Sequence, residues 1–182
     1  ITGAVAWQDL TWMLVGLVGY FIIYIAIYSQ NLRFIEIFEH EFNHAITALL
    51  TFLTLREFRV FPDGENSNYV ATEGGSSCLV TLAPYFLPIL TIPLLLIHPF
   101  IMDSLIPTID VLIGLTMGFH YAALAKEFHP RQTDLQKQTM PFSVVITLLF
   151  NTVILVLVIS VVVDNIRLTF DYLREAFARS FG

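Results

Sequence analysis

Charge is what this 182-residue chain has least of. Asp, Glu, Lys and Arg make up 13% of it and 56% is hydrophobic, against roughly 25% charged residues in an ordinary soluble domain. That scarcity excludes a surface solvated on all sides and points to an α-helical polytopic membrane protein. Basic residues are fewer still, 9 Lys and Arg against 15 Asp and Glu for a net charge of −6, so no basic stripe is present to bind nucleic acid. The single cysteine, Cys78, excludes an intrachain disulfide. No internal repeat is visible, which argues against a secondary transporter.

What is present is a set of apolar runs. A spanning helix needs about 20 mainly apolar residues, and about five segments approach this, near 10–28, 34–53, 78–97, 109–125 and 142–163. Trp7, Trp12, Tyr24 and Tyr28 are placed as interfacial anchors of the first. Pro84, Pro88 and Pro93 predict a kinked or broken third span. Between 55 and 75 the pattern changes. Glu57-Phe58-Arg59-Val60-Phe61 alternates polar and apolar, and Pro62-Asp63-Gly64 is turn chemistry, so a β-hairpin is predicted there. The tail, 165–182, puts Ile166, Phe170, Leu173 and Phe177 on one face. Such a helix lies on the membrane surface or packs on the protein. Basic residues divide almost evenly between the two sides of a five-span arrangement, so orientation is open.

One short motif carries chemistry. His40-Glu41-Phe42-Asn43-His44 is an H-E-x-x-H pentad inside the second apolar segment. On a helix, positions i and i+4 share a face, so both imidazoles reach one metal, and Glu41 is placed to act as general base toward water. Charged groups at bilayer depth cost about 2.5–3.5 kcal/mol each on insertion scales, so they seldom persist there without a role. A chance match in a chain this long is expected about once in a hundred sequences.

Two histidines leave a catalytic zinc site one ligand short. The residues alone rank Asp134 and Asp110 nearly equally for the third place, with His120 and Glu127 as further candidates. An acidic residue in a first helical turn also has a plain role, stabilising that end by about 0.3–1 kcal/mol. Glu36, one turn before His40, suits a partner for a histidine N–H. Asn151, set in an apolar run, suits either a donor to the substrate backbone or a helix–helix hydrogen bond.

The chain resembles the M50, site-2-protease-like, intramembrane metalloproteases. The resemblance rests on His40-Glu41-Phe42-Asn43-His44-Ala45, a strand region ending in Glu73-Gly74-Gly75, the Leu82-Ala83-Pro84 segment and a late acidic residue before the final span. The N-P-x-x-x-L-D-G-like motif that commonly carries the family's third ligand is absent, and Pro107-Thr108-Ile109-Asp110 is at best a remnant of it. Thr133-Asp134 matches the step seen in shorter, divergent members. The resemblance therefore implies zinc held by His40, His44 and Asp134, with Glu41 as catalytic base; Asn151 is the candidate at the substrate on the residues alone. It implies an integral, multi-pass endopeptidase cutting transmembrane proteins within the lipid bilayer. Two other readings stand beside it: a non-catalytic protease-like subunit working with partner subunits, and a haem protein using His44 and His120.

Overall fold

The computed structural model describes residues 10–27, 33–61, 68–74 and 77–163. Among these the helices are α1 (Thr11–Ile27), α2 (Arg33–Leu50), α3 (Cys78–Leu82), α4 (Thr91–Ile97), α5 (Ile106–Glu127), α6 (Thr133–Gln138) and α7 (Met140–Val162), with strands β1 (Leu55–Arg59) and β2 (Tyr69–Thr72) between α2 and α3. The tail 165–182, Trp7 and Tyr28 lie outside the described residues.

Glycine decides how α1 and α5 meet. A Cβ on Gly16 of α1 would stand 2.0 Å from the Val111 carbonyl oxygen of α5, and one on Gly114 of α5 would stand 1.9 Å from the Met13 carbonyl oxygen of α1. The two backbones therefore touch, as small residues allow in helix pairs that gain nothing from hydrophobic exclusion against lipid. Leu10, Met13, Ile113 and Met117 close the seam, and Val158 and Val162 of α7 complete that cluster.

α2 is built inside out. Glu36, Glu39, His40, Glu41, Asn43, His44 and Thr47 are buried, whereas Phe34, Ile35, Phe38, Leu49 and Leu50 are exposed. A soluble amphipathic helix does the reverse. Polar residues gather inward on α2 because its neighbours supply partners: Lys126 of α5 pairs with Glu36, and Asn43 donates to Glu39 at 2.6 Å. α7 shows the same outward apolar face, with Val145, Leu148, Leu149 and Val156 exposed.

The expectation of five spans is corrected. Two described helices are long and apolar enough to cross a membrane, Asp103–Glu127 with its leading 3-10 turn, and Met140–Val162. α1 is apolar throughout but has 17 described residues. α2 carries Arg33, Glu36, Glu39 and Glu41 within its length. The third apolar run is broken, not merely kinked: α3 stops at Leu82, a 3-10 turn holds Ala83–Tyr85, and α4 resumes only at Thr91. Pro84 and Pro88 lie in that gap and deny the helix its N–H donors.

The predicted hairpin region contains an antiparallel pair with Glu57 opposite Ala71, Phe58 opposite Val70 and Arg59 opposite Tyr69, and a register shift between Leu55 and Glu57. The Tyr69 hydroxyl donates to Glu57 at 2.6 Å. That hydrogen bond, with Arg59 beside it, holds the Glu57 carboxyl below its ordinary value, and the same bond raises Tyr69.

α6 meets α7 at Thr139, which has φ 69° and ψ 137°. A β-branched residue there is strained, and such positions cost about 1–3 kcal/mol. Thr139 is exposed and its side chain caps nothing. Thr139→Gly is expected to stabilise the protein by about 1 kcal/mol, read as a higher midpoint in thermal unfolding in detergent. A lowered midpoint would contradict the strain.

Candidate metal centre

The centre is assembled from three separate segments. α2 presents His40 and His44 one turn apart, with ring centroids 4.9 Å apart. α6 begins at Thr133 and brings Asp134 in its first turn. Leu135, fully buried among Leu82, Ala83, Tyr85 and Phe86, fixes α6 against the α3 segment. Asp134 Oδ2 then lies 3.1 Å from His44 Nε2 and 3.4 Å from His40 Nε2, and the two Nε2 atoms are 3.2 Å apart.

The far side of each imidazole shows what those atoms are. His44 Nδ1 donates to the Val80 carbonyl oxygen at 2.7 Å. That carbonyl is free because its helical partner, four residues on, is Pro84, which has no N–H. A carbonyl can only accept, so Nδ1 carries the proton and the neutral ring offers a lone pair at Nε2. His40 Nδ1 likewise donates to Glu127 Oε2 at 2.5 Å. Two lone pairs and a carboxylate oxygen converge on one point, an arrangement that calls for a cation or added protons between them.

The donor set fits zinc. For tetrahedral zinc with ligands at about 2.0–2.2 Å, ligand atoms stand about 3.3 Å apart, close to the separations found here. Both histidines also carry the acceptor behind the ring that metal-binding histidines ordinarily have, one a carboxylate and one a backbone carbonyl. Burial by itself would raise the Asp134 carboxyl, but the two imidazoles and Lys137, whose Nζ lies 3.0 Å from Oδ1, hold it well below the usual carboxylate range. It is therefore an anion with Oδ2 turned to the histidines.

Beside the three lies a cavity of about 350 Å³. His40, Glu41 and His44 form one wall, Tyr69 and Val70 of β2 another, and Asp134 a third. Among the described residues nothing hydrogen-bonds to the Glu41 carboxylate, so it faces the cavity uncommitted.

The other sequence candidates fall elsewhere. Asp110 sits about 25 Å from Glu127 along α5, at 1.5 Å per residue, and pairs with His98 at 3.1 Å. Glu127 stands behind His40 rather than beside the metal position. His120 Nε2 lies 3.3 Å from Asn151 Oδ1, and among the described residues it joins no ligand group with His44. Glu36 is taken by Lys126 and not by a histidine. Asn151 corrects the expectation of a donor at the substrate: its amide donates to the carbonyl oxygens of Tyr85 at 2.9 Å and Thr147 at 2.8 Å, and it does not line the cavity. The sequence reading passed over Val80 and Lys137. Only Val80 had a signal, its place four residues before a proline.

Glu127 gives a direct prediction. Glu127→Gln should weaken zinc binding about 10- to 100-fold, the usual cost of losing an acceptor behind a ligating histidine, measured by competition with a chromogenic chelator. Unchanged affinity would remove Glu127 from the centre.

A model of the Peptidase M50B-like family matches residues 10–129. No curated protein and no solved structure matches the chain. The family match stops short of Asp134, so that residue's place beside the histidines rests on geometry alone. M50 enzymes are membrane-embedded metallopeptidases, in general zinc-dependent, and a match over well more than half its length shows that this chain belongs to the M50 family, in its M50B-like branch.

Proposed function

We propose that the chain is a zinc-dependent intramembrane endopeptidase that hydrolyses peptide bonds of membrane-embedded protein substrates. It is one multi-pass membrane domain, carried across the bilayer by α5 and α7. The observation that carries this reading is the convergence of His40 Nε2, His44 Nε2 and Asp134 Oδ2 beside an uncommitted Glu41. Three protein ligands with a fourth position left for water is the catalytic pattern of zinc.

When bound, zinc supplies Lewis-acid polarisation and brings the pKa of its water toward about 7. Glu41 takes the proton as water attacks the scissile carbonyl and returns it to the leaving amine. Asp134 keeps its charge through Lys137, and Glu127 and Val80 hold the two rings in the tautomer that leaves Nε2 free.

A helical substrate must unwind before its carbonyl is accessible. β2 supports a place for it: Tyr69 and Val70 line the cavity, and among the described residues β1 pairs with one of the two edges of β2. An extended segment added on the other edge gains main-chain hydrogen bonds. The reading is tested by reconstituting the protein in vesicles with a transmembrane substrate. Zinc-dependent cleavage, lost on chelation and regained on adding zinc, is expected. His40→Ala should lose stoichiometric zinc by elemental analysis. Retained zinc with no cleavage by the wild-type protein would favour a non-catalytic subunit.

A further inference from the structure

Three acids border the cavity, Glu41, Glu127 and Asp134, and among its described lining residues Lys137 is the only Lys or Arg. Lys137 lies one turn after Asp134 on α6, so the two side chains leave the same face of that helix. Its Nζ stands 3.0 Å from Asp134 Oδ1, while Oδ2 of the same carboxylate meets the two imidazoles. An ammonium has three N–H donors, and among the described residues Asp134 takes one of them. The neutral donors on the other walls are committed: the Tyr69 hydroxyl to Glu57 and the Thr81 hydroxyl to the Ser77 carbonyl. Gln132 and Thr133 share the α6 wall but carry no charge. An exposed ion pair spaced i, i+3 adds little to stability, so holding α6 together does not account for Lys137. Its side chain is 58% exposed, which leaves the charge hydrated until a substrate fills the cavity.

From the place of this cation on the cavity wall, at the back of the carboxylate that closes the centre, we propose that Lys137 is a further catalytic residue. Its ammonium donates a hydrogen bond to the carbonyl oxygen of the scissile peptide as that oxygen becomes an oxyanion. This rests on the peptidase reading above. Glu41 stands on the α2 wall and Lys137 on the α6 wall. The group that takes the proton from water and the group that meets the negative charge therefore come from different walls of one cavity. A hydrogen bond between two charged partners is stronger than a neutral one. It strengthens as charge grows on the oxygen, and only interactions that do so lower the barrier. Substrate in the cavity displaces water from around Nζ, which strengthens the attraction further. The flexible four-carbon stem lets one N–H stay on Asp134 while another turns to the oxygen.

The test is Lys137→Met in the zinc-loaded protein in vesicles, with Lys137→Arg beside it. Methionine keeps a long apolar stem without the charge, and arginine restores a cation. Zinc is supplied until elemental analysis shows the centre full, so that any weaker hold on Asp134 is compensated. The kcat of Lys137→Met should then fall about 10²- to 10³-fold, as for other oxyanion donors, with KM little changed, and Lys137→Arg should recover part of the loss. Affinity for a phosphinic peptide, whose tetrahedral oxygens mimic the oxyanion, should fall with kcat. Affinity for a thiol peptide of the same sequence, which holds zinc through one sulfur and presents no such oxygen, should not. Unchanged kcat would overturn the proposal, as would activity regained by added zinc alone or no recovery with arginine. Equal weakening of both ligands would also overturn it, leaving Lys137 a support of Asp134 and nothing more. A wild-type protein that cleaves no substrate sinks the peptidase reading and this role with it, whereas cleavage by wild type that Lys137→Met matches sinks Lys137 alone.

Discussion

Replacing Glu41 with glutamine should cut peptide hydrolysis about 10²- to 10⁴-fold, the range associated with a positioned general base, and leave zinc bound. The two effects separate because Glu41 is not among the three converging donors, although it sits between them in sequence and on the same cavity wall. Glutamine keeps the volume and loses only the ability to take a proton. No described group hydrogen-bonds to the carboxylate, so the exchange strands no partner and should not disturb α2. Cleavage of a transmembrane substrate in vesicles and zinc content by elemental analysis are the two measurements. Full activity in this variant would remove Glu41 from the chemistry, and joint loss of zinc and activity would make it a ligand instead.

The second large effect is expected far from the centre, at Gly114→Val. The α1 backbone leaves no room for even one carbon there, since a Cβ would meet the Met13 carbonyl oxygen at 1.9 Å and the Leu17 nitrogen at 2.7 Å. Backbone cannot step aside as a flexible side chain can, so the helices must separate. Overpacking ordinarily costs about 1–3 kcal/mol, and forcing apart two backbones in contact belongs at or beyond the upper end. The seam joins α1 to the helix that carries Glu127, so zinc affinity should fall along with thermal stability. Gly19→Ala is the matched control: nothing lies within 4 Å of a Cβ placed there, and alanine raises helix propensity. If both variants melt alike, the close seam is not what holds α1 to α5.

The two histidines and Glu41 were legible because their relation is local: one turn of helix brings i and i+4 together whatever the rest of the chain does. Asp134 and Asp110 were not separable from the residues alone, because each reads as an acid near the start of an apolar helical stretch, and it is the packing of Leu135 that carries Asp134 to α2. Glu127 was visible as an acid near the centre, but spacing cannot say whether a carboxylate meets the metal position or the nitrogen behind it. The span count failed for a related reason. Apolar composition records what could lie in a bilayer, while charges turned inward on α2 and prolines after α3 set which stretches form long apolar helices. Asn151 shows the commoner fate of a buried amide, satisfying a carbonyl that proline-interrupted backbone leaves open.

The inside-out character of α2 also bears on how the protein is made. A segment with Arg33, Glu36, Glu39 and Glu41 pays several kcal/mol to leave the insertion machinery alone, by scales that charge about 2.5–3.5 kcal/mol for each ionised side chain at mid-bilayer. Lys126 and Glu127, which offset that cost by meeting Glu36 and His40, are synthesised some ninety residues later. Where α2 enters the bilayer during biogenesis, it must wait in an interfacial or shielded state until α5 emerges. Variants at Lys126 should accordingly show their defect first as α2 left accessible to aqueous labelling reagents in newly made chains, before any loss of catalysis can be read.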